Sequence, residues 1–139
     1  MLSVMVFNAH RVRRVNAGEV ARYAKRVLRS SGVKNARVSI VCIDSKSSRR
    51  INREFLHHDY ITDVISFPLE TSPVLEGELY VNLDRARKQA NEYGVSFGNE
   101  VARLVIHGVL HLVGFEDSTL RKARRMKTEE DSHVKYWFH

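Results

Sequence analysis

The chain has 139 residues, 43% hydrophobic and 28% charged, with a formal net charge of +7. That is enough apolar material for one core, so a single domain spanning residues 1–139 is expected. No uncharged apolar run reaches the ~18 residues of a membrane span, and the apolar "MLSVMVF" precedes the basic "RVRR", the reverse of a secretory signal, so neither is expected.

In chain order, "SVMVF" alternates weakly and predicts a strand. "NAGEVARYAKRVLRSSG" predicts a helix, with Asn16 and Glu19 as a capping pair, an apolar stripe of Val20, Tyr23, Ala24, Val27 and Leu28, and Gly32 as the stop. "ARVSIVCID" reads as a buried strand. Its Cys42, the only cysteine, has no intrachain partner and is expected to pack as a small core residue, consistent with a reducing cytoplasm. "SKSSRRINREFL" predicts a short amphipathic helix after Asp44. "DVISFPL" and "GELYVNL" predict two further strands separated by a turn at Pro73, and "DRARKQANEYG" a helix stopped by Gly94. A helix capped by Ser96 then carries Val101, Leu104, Val105, Val109, Leu110, Leu112 and Val113. It is apolar nearly all round, as in a helix enclosed by other elements. A polar helix from about Thr119 to Tyr136 closes the series. The order βαβαββααα predicts an α+β fold, a small mixed four-stranded sheet packed with helices around one central buried helix.

Charge is unevenly spread. Residues 1–53 hold 13 Lys/Arg against 2 Asp/Glu, residues 54–117 hold 4 against 11, and residues 118–139 hold 6 against 3. A basic flank around an acidic middle suits an anionic partner, of which RNA is the natural candidate.

The enclosed helix carries the chemistry. His107 and His111 are spaced i, i+4, which puts both imidazoles on one helical face where they can meet one metal ion. Gly114 can end the helix and let Asp117 return a carboxylate to the same ion. Two nitrogens, one oxygen and an open fourth position suit a catalytic zinc site. Gly108 stands where the zinc-peptidase pattern H-E-x-x-H has its glutamate base, which counts against a peptidase.

"HGVLHLVGFED" resembles the H-G-x-L-H-L-x-G-[YF]-x-H signature of the YbeY family, metal-dependent endoribonucleases of ribosomal RNA maturation. "INREFLHHDYITDVISFPLE" is similar to the family's N-x-x-[YF]-R-x-K-D-x-P-T-[DN]-V-L-S-F segment. "GELYVNLDRARKQA" resembles its next strand and helix, and Met126 and Glu130 fall where its last helix has Met and Glu. The resemblance covers about residues 38–131. It implies Zn²⁺, or another divalent transition metal, on His107, His111 and Asp117, and water activated on RNA phosphodiesters. It also implies single-stranded ribosomal RNA as substrate, with the small ribosomal subunit as a further partner, and neither DNA nor a membrane. The chain departs from the family at Asp117 (histidine in most members), Leu56 (arginine), His58 (lysine) and Ile61 (proline). Arg49, Arg50, Arg53 and His58 are the candidates to supply the missing positive charge, and Thr62 and Asp63 to support the metal or substrate. Phe67 and Phe115 are expected in the core, and Glu116 on the surface.

No Asp or Glu is marked out as general base, so attack by water and attack by a ribose 2′-OH both stay open. So do two other classes of function. One is a metal hydrolase of peptides or small molecules, and the other is a ribosome-associated RNA-binding protein with a structural metal.

Overall fold

The structure is a computed structural model describing residues 1–139. Four strands and five helices follow in the expected order: β1 (Leu2–Asn8), α1 (Ala17–Ser30), β2 (Ala36–Ile43), α2 (Ser45–Leu56), β3 (Val64–Glu70), β4 (Leu75–Asn82), α3 (Leu83–Tyr93), α4 (Phe97–Leu112) and α5 (Leu120–Trp137). The helix starts lie where the caps place them. Asn16, Asp44, Asn82, Ser96 and Thr119 each accept a hydrogen bond from a backbone N–H of the first turn. Gly94 takes φ +66° beyond the end of α3, a conformation that costs glycine little.

The sheet order is β1-β2-β4-β3. β1, β2 and β4 run parallel, and β3 pairs antiparallel with β4 at the edge. An edge strand can carry Pro68, whose missing N–H would break a ladder in the middle of a sheet, and the register shifts between Pro68 and Glu70. Val38, Ile40 and Cys42 of β2 lie beside Gly77, Leu79 and Val81 of β4, and this face forms the core. β4 begins at Leu75, two residues before the expected start, because Leu75 pairs with Ala36 and is buried.

α4 packs on β3 and β4 and also touches α1, α3 and α5. Ten of its sixteen residues are buried, so it is the central helix its all-round apolarity predicts. Two glycines allow this close packing. A Cβ on Gly77 would meet Leu112 Cδ2 at 2.7 Å, and one on Gly108 would meet Leu79 Cδ2 at 2.9 Å. Gly108 therefore has a packing role beyond the absence of a peptidase base. Alternation along β3 turns Ser66 toward α4 and Phe67 away from it. Phe67 is half-buried rather than in the core, packed edge-to-face on Tyr80 and on Phe55 of α2. Phe115 is likewise half-buried, packed against the core's margin.

Candidate metal centre

His107 and His111 sit in the last turns of α4. Their rings lie edge-to-face at 81° with centroids 4.7 Å apart, and their Nε2 atoms approach to 3.1 Å. Beyond the helix, Gly114 takes φ +107°, in the left-handed region that a side chain would strain. The Gly114 and Phe115 N–H groups donate back to the carbonyls of His111 and Leu110. This reversal brings Asp117 Oδ2 to 3.6 Å from His111 Nε2 and 3.8 Å from His107 Nε2.

The donor atoms fit a tetrahedral ion. Bonds of about 2.1 Å separate neighbouring ligand atoms by about 3.4 Å, and the three distances here are 3.1, 3.6 and 3.8 Å. The proton positions support this. His111 Nδ1 lies 3.1 Å from the Phe115 carbonyl oxygen, which can only accept, so Nδ1 carries the hydrogen. His107 Nδ1 donates to Glu130 Oε2 at 2.8 Å. In the neutral rings both Nε2 lone pairs then face one another and repel. Protonation of one ring relieves this, and so does a cation between them. Burial opposes protonation of His107, yet the hydrogen bond to Glu130 and the charges of Glu130, Asp117 and Asp63 hold its pKa above the ordinary value.

Glu130 comes from α5, 23 residues beyond His107. Its other oxygen accepts from Arg103 Nη1 at 2.8 Å, and Arg103 also donates to Asp131. Burial raises the Glu130 pKa, but the His107 and Arg103 hydrogen bonds outweigh it and hold the carboxyl below the usual range. An ionised carboxylate on the Nδ1 of a histidine fixes its tautomer and orientation and strengthens it as a ligand.

The three residues open into a cleft of about 720 Å³ between the α4–α5 turn and the loop 57–63. His58, Thr62 and Asp63 line it, as does Leu56. Arg49, Arg50 and Arg53 do not. They lie on α2 outside it, and Arg49 is paired with Asp59 at 2.8 Å. The lining holds three carboxylates, Asp63, Glu116 and Asp117, and no Lys or Arg. A phosphodiester entering such a cleft is repelled unless a cation is bound there. Glu116 is exposed and paired with Lys122.

Sequence reading missed Glu130 as the partner of His107, and it missed two residues of α2. Ser48 and Asn52 are spaced i, i+4, and both are buried. Ser48 Oγ donates to the Thr62 carbonyl, and Asn52 Nδ2 to the Tyr60 carbonyl. Asn82 Nδ2 also donates to the Thr62 carbonyl, and the Asn82 N–H to that of Asp63. Asn52 heads the N-x-x-[YF] pattern, which was the available signal.

Comparison with known proteins gives one consistent result. The family model described as endoribonuclease YbeY matches residues 5–137. A protein of Chlorobium luteolum named endoribonuclease YbeY is 36% identical over 137 residues, 99% of each chain. Proteins of the same name from Salinibacter ruber and Chloroherpeton thalassium are 36% and 41% identical, over 90% and 81% of this chain and 85% and 80% of their own. The solution structure of a Thermotoga maritima protein superposes with a TM-score of 0.65 at 23% identity, covering 95% of this chain and 87% of that one, which shows a common fold.

Proposed function

The chain belongs to the endoribonuclease YbeY family, and on that premise we propose that it is a single-strand-specific endoribonuclease of ribosomal RNA maturation and quality control. One domain of residues 1–139 carries the activity, with one Zn²⁺ on His107, His111 and Asp117. The observation that supports this most is the convergence of two imidazole lone pairs and a carboxylate in a cleft whose lining has no Lys or Arg. When bound, such an ion polarises a phosphodiester oxygen and makes water a better nucleophile.

The chain's own residues do the rest. Glu130 and the Phe115 carbonyl hold the two imidazoles in the tautomer that presents Nε2. Asp117 adds negative charge that a third histidine would not, so the site should be a weaker Lewis acid and more tolerant of oxygen-preferring metals. Loop 57–63 and the turn at Gly114–Asp117 form walls that a flexible single strand can pass between. Basic residues of the first 53 hold the RNA backbone from outside the cleft, so binding should weaken steeply with salt. The expected setting is the cytoplasm, with the small ribosomal subunit as a partner and DNA not a substrate.

The absence of any Lys or Arg in the cleft, with Leu56 where the family has arginine, favours one second reading. In it the protein binds ribosomal RNA through a structural metal without cutting it. Incubation of zinc-loaded protein with end-labelled RNA, single-stranded and as a duplex of the same sequence, distinguishes them. Cleavage confined to the single strand and abolished by a chelator supports the proposal, and binding without cleavage supports the alternative. A 2′-deoxy residue at the cut site then separates the two chemistries, since only ribose 2′-OH attack is lost.

A further inference from the structure

We propose that Tyr60 is a stacking platform for one unpaired nucleobase beside the cleft, a subsite that rests on the endoribonuclease reading above. Tyr60 lines the cleft that holds His107, His111 and Asp117. One face of its ring is covered by His58 in an offset stack, 15° from parallel with centroids 5.3 Å apart, and Tyr60 Oη lies 3.1 Å from His58 Nδ1. With His58 stacked on it, the residue is still 54% exposed, so much of the ring remains accessible to a second partner.

An exposed aromatic ring on a loop is common and by itself means little. Here the loop is held. His57 sits at φ 58°, the His58 N–H donates to the Asn52 carbonyl, and Asn52 Nδ2 returns a hydrogen bond to the Tyr60 carbonyl two residues on. Arg49 grips Asp59 between them, and Ser48 and Asn82 hold Thr62. Tyr60 is therefore presented on backbone fixed at both sides, which reduces the ordering cost of binding.

The cleft chemistry also favours a base at this position. With three carboxylates and no Lys or Arg, the lining offers a phosphate only the polar groups of residues such as His58, Thr62 and Ser66, so affinity within the cleft must draw on a bound cation and on uncharged surface as well. Tyr60 is an exposed aromatic ring on that lining, where Phe115 is half-buried, and exposed Leu56 adds apolar surface to the same cleft. Stacking on a tyrosine requires a base free of its duplex neighbours, so the platform selects single strands and tolerates any base identity.

The test is steady-state cleavage of a short single-stranded RNA by zinc-loaded wild type, Tyr60→Ala, Tyr60→Leu, Tyr60→Phe and Tyr60→Trp. The same RNA carries 2-aminopurine at successive positions for fluorescence before cleavage proceeds. Loss of the ring should raise KM on the order of ten-fold with kcat little changed. Leu, which keeps apolar bulk without a π-face, should behave like Ala, whereas Phe and Trp should retain wild-type KM. 2-Aminopurine should be quenched at one position by wild type and not by Tyr60→Ala. An abasic residue at that position should raise the wild-type KM by the same factor and leave Tyr60→Ala unaffected. Cleavage with an unchanged KM in Tyr60→Ala and Tyr60→Leu, or no KM effect of any abasic position on wild type, overturns the platform and leaves the nuclease reading intact. Quenching that depends on Tyr60, in a wild type that does not cleave, supports the platform and overturns the nuclease reading.

Discussion

Glu130→Gln tests whether the support behind His107 matters to the metal. Glu130 is a side chain only 12% exposed, with one oxygen 2.8 Å from His107 Nδ1 and the other 2.8 Å from Arg103 Nη1. Glutamine keeps the shape but has one acceptor and one donor group. If its oxygen accepts from His107, its NH₂ confronts the Arg103 guanidinium; if it turns over, His107 loses its acceptor. Arg103 keeps Asp131 at 2.8 Å, so the fold should survive. A hydrogen bond to a charged group contributes about 1.5–3 kcal/mol, and loss of a carboxylate behind a metal-ligating histidine typically weakens binding by about 10–100-fold. The expected result is a rise of that size in the zinc dissociation constant, measured by competition with a chromophoric chelator. Lys127→Ala, which touches only Asp131 of this group, should leave it unchanged. Zinc affinity within about two-fold of wild type in a folded Glu130→Gln protein would refute the role assigned to Glu130.

Gly108→Ala should destabilise the protein, by up to about 2 kcal/mol once the helix propensity of alanine is offset. Overpacking against Leu79 costs about 1–3 kcal/mol and the better helix propensity of alanine returns at most about 1. A higher urea midpoint for the variant would show that the helix–sheet contact can yield. Cys42 is buried and its thiol is pushed up to about 11 by that burial, so it should resist iodoacetamide at neutral pH until the protein unfolds. Rapid labelling of the native protein would contradict its core position. Asp44 is held below the usual carboxylate range by the Ser47 hydrogen bonds. Asp84 is held there despite burial by His10, the Ser45 N–H and Arg13. A lowered folded pKa means the stability these groups add is full above the unfolded value of about 3.9 and is lost as pH falls through the folded one. Asp84→Asn should therefore flatten the loss of stability below about pH 4, and a variant with the wild-type acid slope would contradict this.

The fold and the pairing of His107 with His111 in the candidate metal centre were legible because their signals are local. The caps at Asn16 and Ser96, the all-round apolarity of α4, and the i, i+4 spacing of His107 and His111 each lie within one element. What escaped depends on distant segments meeting. Glu130 reaches His107 across 23 residues, and although the family resemblance marks its position in α5, nothing in the sequence names His107 as its partner. Ser48 and Asn52 look like polar residues of a solvated helix until loop 57–63 folds over them. His10 carried no pattern, yet its ring is buried, with Nε2 on Asp84 and Nδ1 accepting from the Val12 and Arg13 N–H groups. Conversely, Arg49, Arg50 and Arg53 were attractive by charge, but helical geometry places them away from the lining of the cleft. Charge counted along a chain does not say which way it faces.

The most direct test of the metal-dependent nuclease is the cleavage rate of a single-stranded ribosomal RNA fragment by zinc-loaded wild type and His111→Ala, side by side under one set of conditions. His111 is half-exposed at the end of α4, and its loss removes one of two convergent nitrogens while leaving the core intact. The proposed site predicts cleavage by wild type and a loss of several orders of magnitude in the variant. Equal cleavage by the two proteins would contradict it.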